Sequence, residues 1–209
     1  MEYAVNHIIL HGNMVGTPEY SHENHGKIFY RFQLEIPRLS GTSDILPVIA
    51  EKKLIDSIAC CPCTITVTGQ IRSHNIRNDG KRHLLIFVFA TALYFEDAEF
   101  MNSCSLEGVM CREPIYRRTP LGREICDIML AVPRMFHRAD YLPCILWGRT
   151  AREISAYHCG DHISVSGRMQ SRNYNKQTEN GIQIRTAYEI SALSASKIDQ
   201  FSIACKDNS

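Results

Sequence analysis

Asn6-His7-Ile8-Ile9-Leu10-His11-Gly12-Asn13-Met14 and Asn102-Ser103-Cys104-Ser105-Leu106-Glu107-Gly108-Val109-Met110 carry Asn, Leu, Gly and Met at the same four places, 96 residues apart. The same shift puts Pro18, Tyr20 and Gly26 on Pro114, Tyr116 and Gly122. It then puts Leu34, Pro37, Arg38, Asp44, Leu46, Pro47 and Ile49 on Leu130, Pro133, Arg134, Asp140, Leu142, Pro143 and Ile145. A slip to 98 matches Gly69 and Ser73 with Gly167 and Ser171. A period this long exceeds the roughly 20–50 residues of a solenoid unit, so each copy is expected to be a small domain with its own core. The expected division is 1–100, 101–198 and a short tail over 199–209.

Each copy reads as mostly β. Phe32-Gln33-Leu34-Glu35-Ile36 alternates with period two, as do Ile128, Leu130 and Val132 in the other copy and Thr64-Ile65-Thr66-Val67-Thr68. Leu54, Ile55 and Ile58 in one copy, and Ala151, Ile154 and Tyr157 in the other, sit at helical spacing after the third strand-like run. Polar stretches with turn dipeptides, Asn78-Asp79-Gly80 and Glu179-Asn180-Gly181, predict long hairpin loops between the last two strands. The order is β-β-β-α-β-β, which is that of the OB-fold, a five-stranded Greek-key barrel. The acidic junction Glu96, Asp97, Glu99 lacks a Gly/Pro/Ser tract, so the copies are expected to pack rather than swing.

Composition fits two soluble globular domains: 44% apolar and 22% charged residues. No run approaches the ~20 apolar residues of a membrane helix, and Met1 to His7 does not resemble a signal peptide, so a cytoplasmic protein without a membrane partner is expected. Nine cysteines, an odd number irregularly spaced, suit reduced thiols. The net charge of +1 hides an asymmetry: residues 1–100 hold 9 Lys+Arg against 11 Asp+Glu, residues 101–209 hold 14 against 11. Eleven of those fourteen cations are arginines, the side chain suited to phosphate forks and base stacking. The second copy is therefore the expected polyanion binder.

Its third strand, Asp140-Tyr141-Leu142-Pro143-Cys144-Ile145-Leu146-Trp147-Gly148-Arg149, places Tyr141 and Trp147 on one face and Leu142, Cys144 and Leu146 on the other. At the strand rise the two rings stand ~20 Å apart, room for several bases. Every base has a π-face, so flat rings on an open barrel face bind single strands without reading sequence. Core or interface packing is the commoner use of such rings. Cations surround the strand: Arg112, Arg117, Arg118 and Arg123 in the expected 1–2 loop, and Arg172, Lys176 and Arg185 beside Tyr174 in the expected 4–5 hairpin. Arg134, Arg138 and Arg149 lie near strands two and three. In the first copy Ile45, Glu51 and Ser40 fall where Tyr141, Trp147 and Phe136 stand, so that copy is expected to be scaffold. Tyr20, Phe29, Tyr30, Arg72, Arg77, Lys81 and Arg82 remain for a weaker contact there.

The second copy resembles the bacterial single-stranded DNA-binding protein family. The resemblance lies in Asn102-x-x-x-Leu106-x-Gly108, in Leu130-Ala131-Val132-x-Arg134, and in Leu146-Trp147-Gly148-Arg149-x-Ala151. It continues through Gly160-Asp161-x-Ile163-x-Val165-x-Gly167-Arg168-x-Gln170-Ser171-Arg172-x-Tyr174. The first copy repeats the opening and Gly69-Gln70-Ile71-Arg72-Ser73 more loosely. The resemblance implies base stacking on Phe136, Tyr141, Trp147 and Tyr174, roles in replication, recombination or repair, and a homodimer of four barrels. Family members end in an acidic tip that recruits replication and repair partners. The closing Phe201-Ser202-Ile203-Ala204-Cys205-Lys206-Asp207-Asn208-Ser209 is not of that kind, so recruitment through it is not expected. The alternative is an accessory OB-fold protein, primosome-like, acting through protein partners; an RNA ligand also stays open. No catalytic motif is present, and no cofactor or metal is expected. Cys60-Cys61-Pro62-Cys63 contains one CxxC without a second pair, short of a zinc site.

Overall fold

The computed structural model describes residues 5–58, 64–78, 81–178 and 181–198. Residues 59–63, 79–80, 179–180 and those from 199, and the side chains of Arg77, Asn78, Lys81, Arg82 and Thr178, lie outside the described residues, among them the Cys60-Cys61-Pro62-Cys63 stretch. Two compact units result, one of His7–Cys104 with Met169–Glu189, the other built on Ser105–Arg168 and the chain from Ile190. The outer half of the last hairpin thus groups with the first repeat's barrel, across the repeat boundary at 100.

The first unit contains β1 (Asn6–Asn24), β2 (Lys27–Pro37), β3 (Ser43–Glu51), α1 (Lys52–Asp56), β4 (Thr64–Asn78) and β5 (Lys81–Tyr94). Its strands run β2-β3-β5-β4-β1 and β1 pairs back with β2, closing a five-stranded barrel. The second barrel has β6 (Met101–Met110), β7 (Ile115–Arg118), β8 (Glu124–Arg134), β9 (Arg138–Trp147), α2 (Gly148–Ile154), β10 (His162–Thr178) and β11 (Gly181–Lys197). Its order is β6-β10-β11-β9-β8-β7, closed by β6 on β8. In each barrel one neighbouring pair is parallel: β3 with β5 at Val48–Val88, and β9 with β11 at Cys144–Ile190. This strand order, with a helix between the third and fourth barrel strands, is the OB-fold.

The repeat holds at the level of pairing. Phe29 opposes Glu51 on β2–β3 and Ile125 opposes Trp147 on β8–β9, each partner displaced by 96. Alternation then sends Leu34, Leu46 and Val48 into one core and Leu130, Leu142 and Cys144 into the other, all at most 1% exposed. Gly12 and Gly108 do the same work: a Cβ on either would lie 2.5 Å from the carbonyl oxygen of Glu35 or Ala131. Only glycine lets β1 and β6 approach the neighbouring strand this closely.

Two expectations need correction. The 4–5 segments are not loops but ribbons, β10 and β11 running 17 residues each, because paired backbones satisfy one another whatever the polarity of the side chains. Arg117 and Arg118 belong to strand β7, paired with Ile125 and Glu124, rather than to a loop. In the first repeat the same stretch remains within β1, with the pairing slipping between Val15 and Glu19.

Replacing Gly12 or Gly108 by Ala is expected to lower unfolding free energy by about 1–3 kcal/mol, the range for overpacking, as measured by urea denaturation.

Candidate nucleic-acid interface

On β9 the expected alternation appears: Leu142, Cys144 and Leu146 are buried, while Tyr141 and Trp147 are 44% and 41% exposed. Cross-strand pairing sets Ala131 beside Tyr141 and the buried Ile125 beside Trp147. Arg117 opposes Ile125 from the other side, so Arg117, Ile125 and Trp147 form one row across three strands. Phe136, in the β8–β9 turn, is 84% exposed. It adopts φ of +62° and His137 follows at +53°, a region that costs a non-glycine residue about 1–2 kcal/mol. The first repeat has Gly41 at the place of His137, also at positive φ. The turn is thus retained in the second repeat without its glycine, and it presents the Phe136 ring to solvent.

The arginines fall into two groups. Arg117 Nε donates to Asp127 Oδ2 at 2.7 Å, and Arg118 lies 3.4 Å from Glu124. Glu124 also accepts from the Tyr116 hydroxyl at 2.7 Å and pairs with Arg152 at 2.8 Å. The Tyr116 hydrogen bond and the two arginines hold its carboxyl below the usual range, although burial opposes them. Arg134 reaches the fully buried Asp140 at 3.4 Å. Arg149 lies 3.4 Å from Glu153 on its own helix and is 87% exposed. Arg123 has no side-chain ion pair among the described residues. A shallow recess of about 620 Å³ beside Phe136 is lined by Arg134, His137, Arg138 and His162. His162 was not picked out by sequence, because only the fold brings it to Phe136, whereas His137 is its chain neighbour.

Tyr174, Arg172, Lys176 and Arg185 lie in the other compact unit, on the β10–β11 ribbon. The Arg172 guanidinium stands 6.0 Å from the centroid of the Tyr174 ring, and its Nε lies 3.4 Å from Glu189. Tyr174 is 38% exposed. Arg185 donates to Gln183 Oε1 at 3.1 and 3.0 Å, an exposed neutral partner that leaves its charge unbalanced.

In the first barrel the corresponding face is differently equipped. Glu51, at the place of Trp147, receives Lys27 and Lys53, each at 3.3 Å. These lysines occupy the places of Arg123 and Arg149, so the cations persist while the ring between them is replaced by a carboxylate. Burial pushes the Glu51 carboxyl up, but hydrogen bonds from the two lysines outweigh it and hold the group below its ordinary value. The aromatics there face one another: His22 stacks on Phe29 at 4.9 Å, and Tyr20 meets Tyr30 edge-on at 6.5 Å. Arg72 donates to Gln70. Among the described residues no group of three or more His, Cys, Asp or Glu side chains is placed to hold a metal. Burial raises the Cys126 thiol to about 11, removing it from thiolate chemistry.

The fold and this face define an OB-fold protein with one barrel bearing exposed rings among guanidinium groups. The sequence profile of the Single-strand binding protein family matches residues 101–198. Single-stranded DNA-binding protein B of Bacillus subtilis is 36% identical over 91 residues, covering 40% of this chain and 78% of that protein. Single-stranded DNA-binding protein 1 of Staphylococcus aureus is 36% identical over 84 residues, 37% of this chain and 50% of that protein. The chain belongs to the single-strand binding protein family. It spans about half the length of the Staphylococcus relative. Across both repeats, the crystal structure of the single-stranded DNA binding protein from Thermus aquaticus superposes with a TM-score of 0.73 at 21% identity, covering 93% of each chain, a likeness of fold.

Because its pairing depresses the Glu51 pKa, the carboxylate contributes stability above the ordinary glutamate value of about 4.3 and loses it as pH falls through the lower folded value. The stability gap between wild type and Glu51→Gln is therefore expected near pH 6 and should shrink as the pH falls below the ordinary glutamate value, read by denaturant titrations across that range.

Proposed function

We propose that this chain binds single-stranded DNA with little sequence preference, and that the second barrel supplies most of the affinity. The observation that carries this reading is the outward pair Tyr141 and Trp147 on β9, each more than two-fifths exposed above a buried row. A large ring held out to water by a strand whose other face is core is positioned for a flat partner, and stacking contributes ~1–3 kcal/mol per base. Phe136 and Tyr174 serve as further platforms. Arg123, Arg149, Lys176 and Arg185 supply phosphate contacts, while Arg117, Arg118, Arg134 and Arg172 are oriented by their carboxylate partners. The relatives named above are single-stranded DNA-binding proteins, which supports the same ligand here.

The role is non-catalytic, in replication, recombination or repair, with two chains assembling four barrels and working in the cytoplasm at the nucleoid. Carboxylate pairing of Arg117 and Arg118 favours a second reading, in which the barrels chiefly bind protein partners, since paired guanidinium groups attract phosphate less strongly.

Trp147 is the sole tryptophan, so its fluorescence reports on this face. Titration with oligo-dT should quench it and a matching duplex should not; absence of quenching in folded protein would hand the lead to the protein-partner reading. Trp147→Ala should weaken oligo-dT binding by ~1–3 kcal/mol while leaving the fold intact, judged by circular dichroism. Affinity should also fall with salt at a log–log slope near −0.7 per neutralised phosphate, and a flat response would remove the arginines from the interface.

A further inference from the structure

Within the first unit, Ser171 fastens the β10–β11 ribbon to the start of β3. Its amide donates to Asp44 Oδ1 at 2.9 Å, its hydroxyl oxygen accepts from the Ile45 amide at 3.0 Å, and its carbonyl accepts from Arg38 Nη2 at 3.3 Å. Asp44 is 1% exposed, and Arg38 binds both of its carboxylate oxygens, with Nε to Oδ2 at 2.7 Å. All three polar groups of Ser171 are thus engaged on one side of the ribbon. On the next residues Glu189 Oε1 accepts from Gln170 Nε2 at 2.8 Å and lies 3.4 Å from Arg172 Nε, whose guanidinium stands beside the Tyr174 ring. A continuous chain of contacts runs from Asp44 through Ser171 and Arg172 to Tyr174.

A two-stranded ribbon is marginally stable by itself, so a ring carried on one has a defined direction only if the ribbon is anchored. Hydrogen bonds to a buried, ionised carboxylate are among the stronger anchors, and they tolerate little misplacement. Asp44 is also the place where the repeats share an acid, with Asp140 as its counterpart and Arg38 and Arg134 as the paired arginines. A bare structural ion pair needs only Arg38. The additional hold on the Ser171 amide is what ties this carboxylate to the ribbon.

We propose that Asp44 is a positioning residue for strand binding: by holding Ser171 it sets the direction of the ribbon that presents Tyr174. The inference rests on the strand-binding reading above. It gives a residue of the first repeat a part in presenting one ring of the second.

The test uses the full chain with Ser171→Ala, which deletes only the hydroxyl, and Asp44→Asn, each alone and combined with Tyr174→Ala. Affinity for oligo-dT is measured along with amide hydrogen exchange over residues 170–176, and the thermal midpoint serves as the stability control. Asp44→Asn, which weakens the hold on the Ser171 amide, is expected to speed exchange along the ribbon and to weaken binding about fivefold, the low end of a lost stack, with no further loss once Tyr174 is already Ala; Ser171→Ala, which keeps that amide and removes only the acceptor of the Ile45 amide, is expected to do so less. Equal fractional losses with and without Tyr174 would overturn the inference and leave Asp44 a structural group. Unchanged exchange in both variants would overturn it as well, and that readout requires no DNA. If wild-type protein fails to bind oligo-dT, the strand-binding reading falls and the positioning role with it, whatever the exchange data show.

Discussion

Cross-strand register is the constraint on which the rest of the molecule depends. With Ile125 opposite Trp147 and Ala131 opposite Tyr141, the odd-numbered residues of β9 from Ala139 to Trp147 face outward and the even-numbered ones fill the barrel. A slip of one residue would send Trp147 and Tyr141 into the core and expose Leu142, Cys144 and Leu146. Burying Leu142 and Leu146 stabilises by roughly 1.5–3 kcal/mol each, so the core itself enforces the presentation of the rings. The binding face requires no separate stabilisation; it is the other side of the packing.

The duplication permits a comparison inside one chain. At three aligned places the first barrel has Lys27, Glu51 and Lys53 where the second has Arg123, Trp147 and Arg149. In the first barrel the cations close on a carboxylate and the charge is satisfied internally. In the second a neutral ring stands between guanidinium groups, and Arg123 is left without an ion pair among the described residues. Identical backbone registers therefore support opposite electrostatic outcomes through the side chain at one strand end.

Much of this was legible from the residues. Alternation along Asp140–Trp147 gave the exposed pair, the 96-residue shift fixed the correspondence of strands, and the helical spacing of Ala151 and Ile154 located α2. What was not legible has physical causes. Apart from Tyr174 the outer part of β10, from Arg172 to Thr178, is polar on both faces, so no hydrophobic period marks it as strand, although Ile182 and Ile184 on β11 do alternate. Arg117 and Arg118 read as free cations in sequence, because their partners Asp127 and Glu124 become neighbours only across the β7–β8 pair. Asp44 is identifiable as a shared acid of the repeat, but its bond to Ser171 spans 127 residues and leaves no local pattern.

That separation bears on how the chain reaches its native state. Contacts far apart in sequence require a large loop closure before they return any stabilisation, and they slow folding accordingly. During synthesis the first repeat emerges with Asp44 and Arg38 in place while the Ser171 amide is still to be added. Its barrel can collapse around Leu34, Leu46 and Val48, but its compact unit becomes complete only after Met169–Glu189 has been made. Gene duplication has thus produced a chain that is two barrels by pairing, with one compact unit drawn from residues of both repeats.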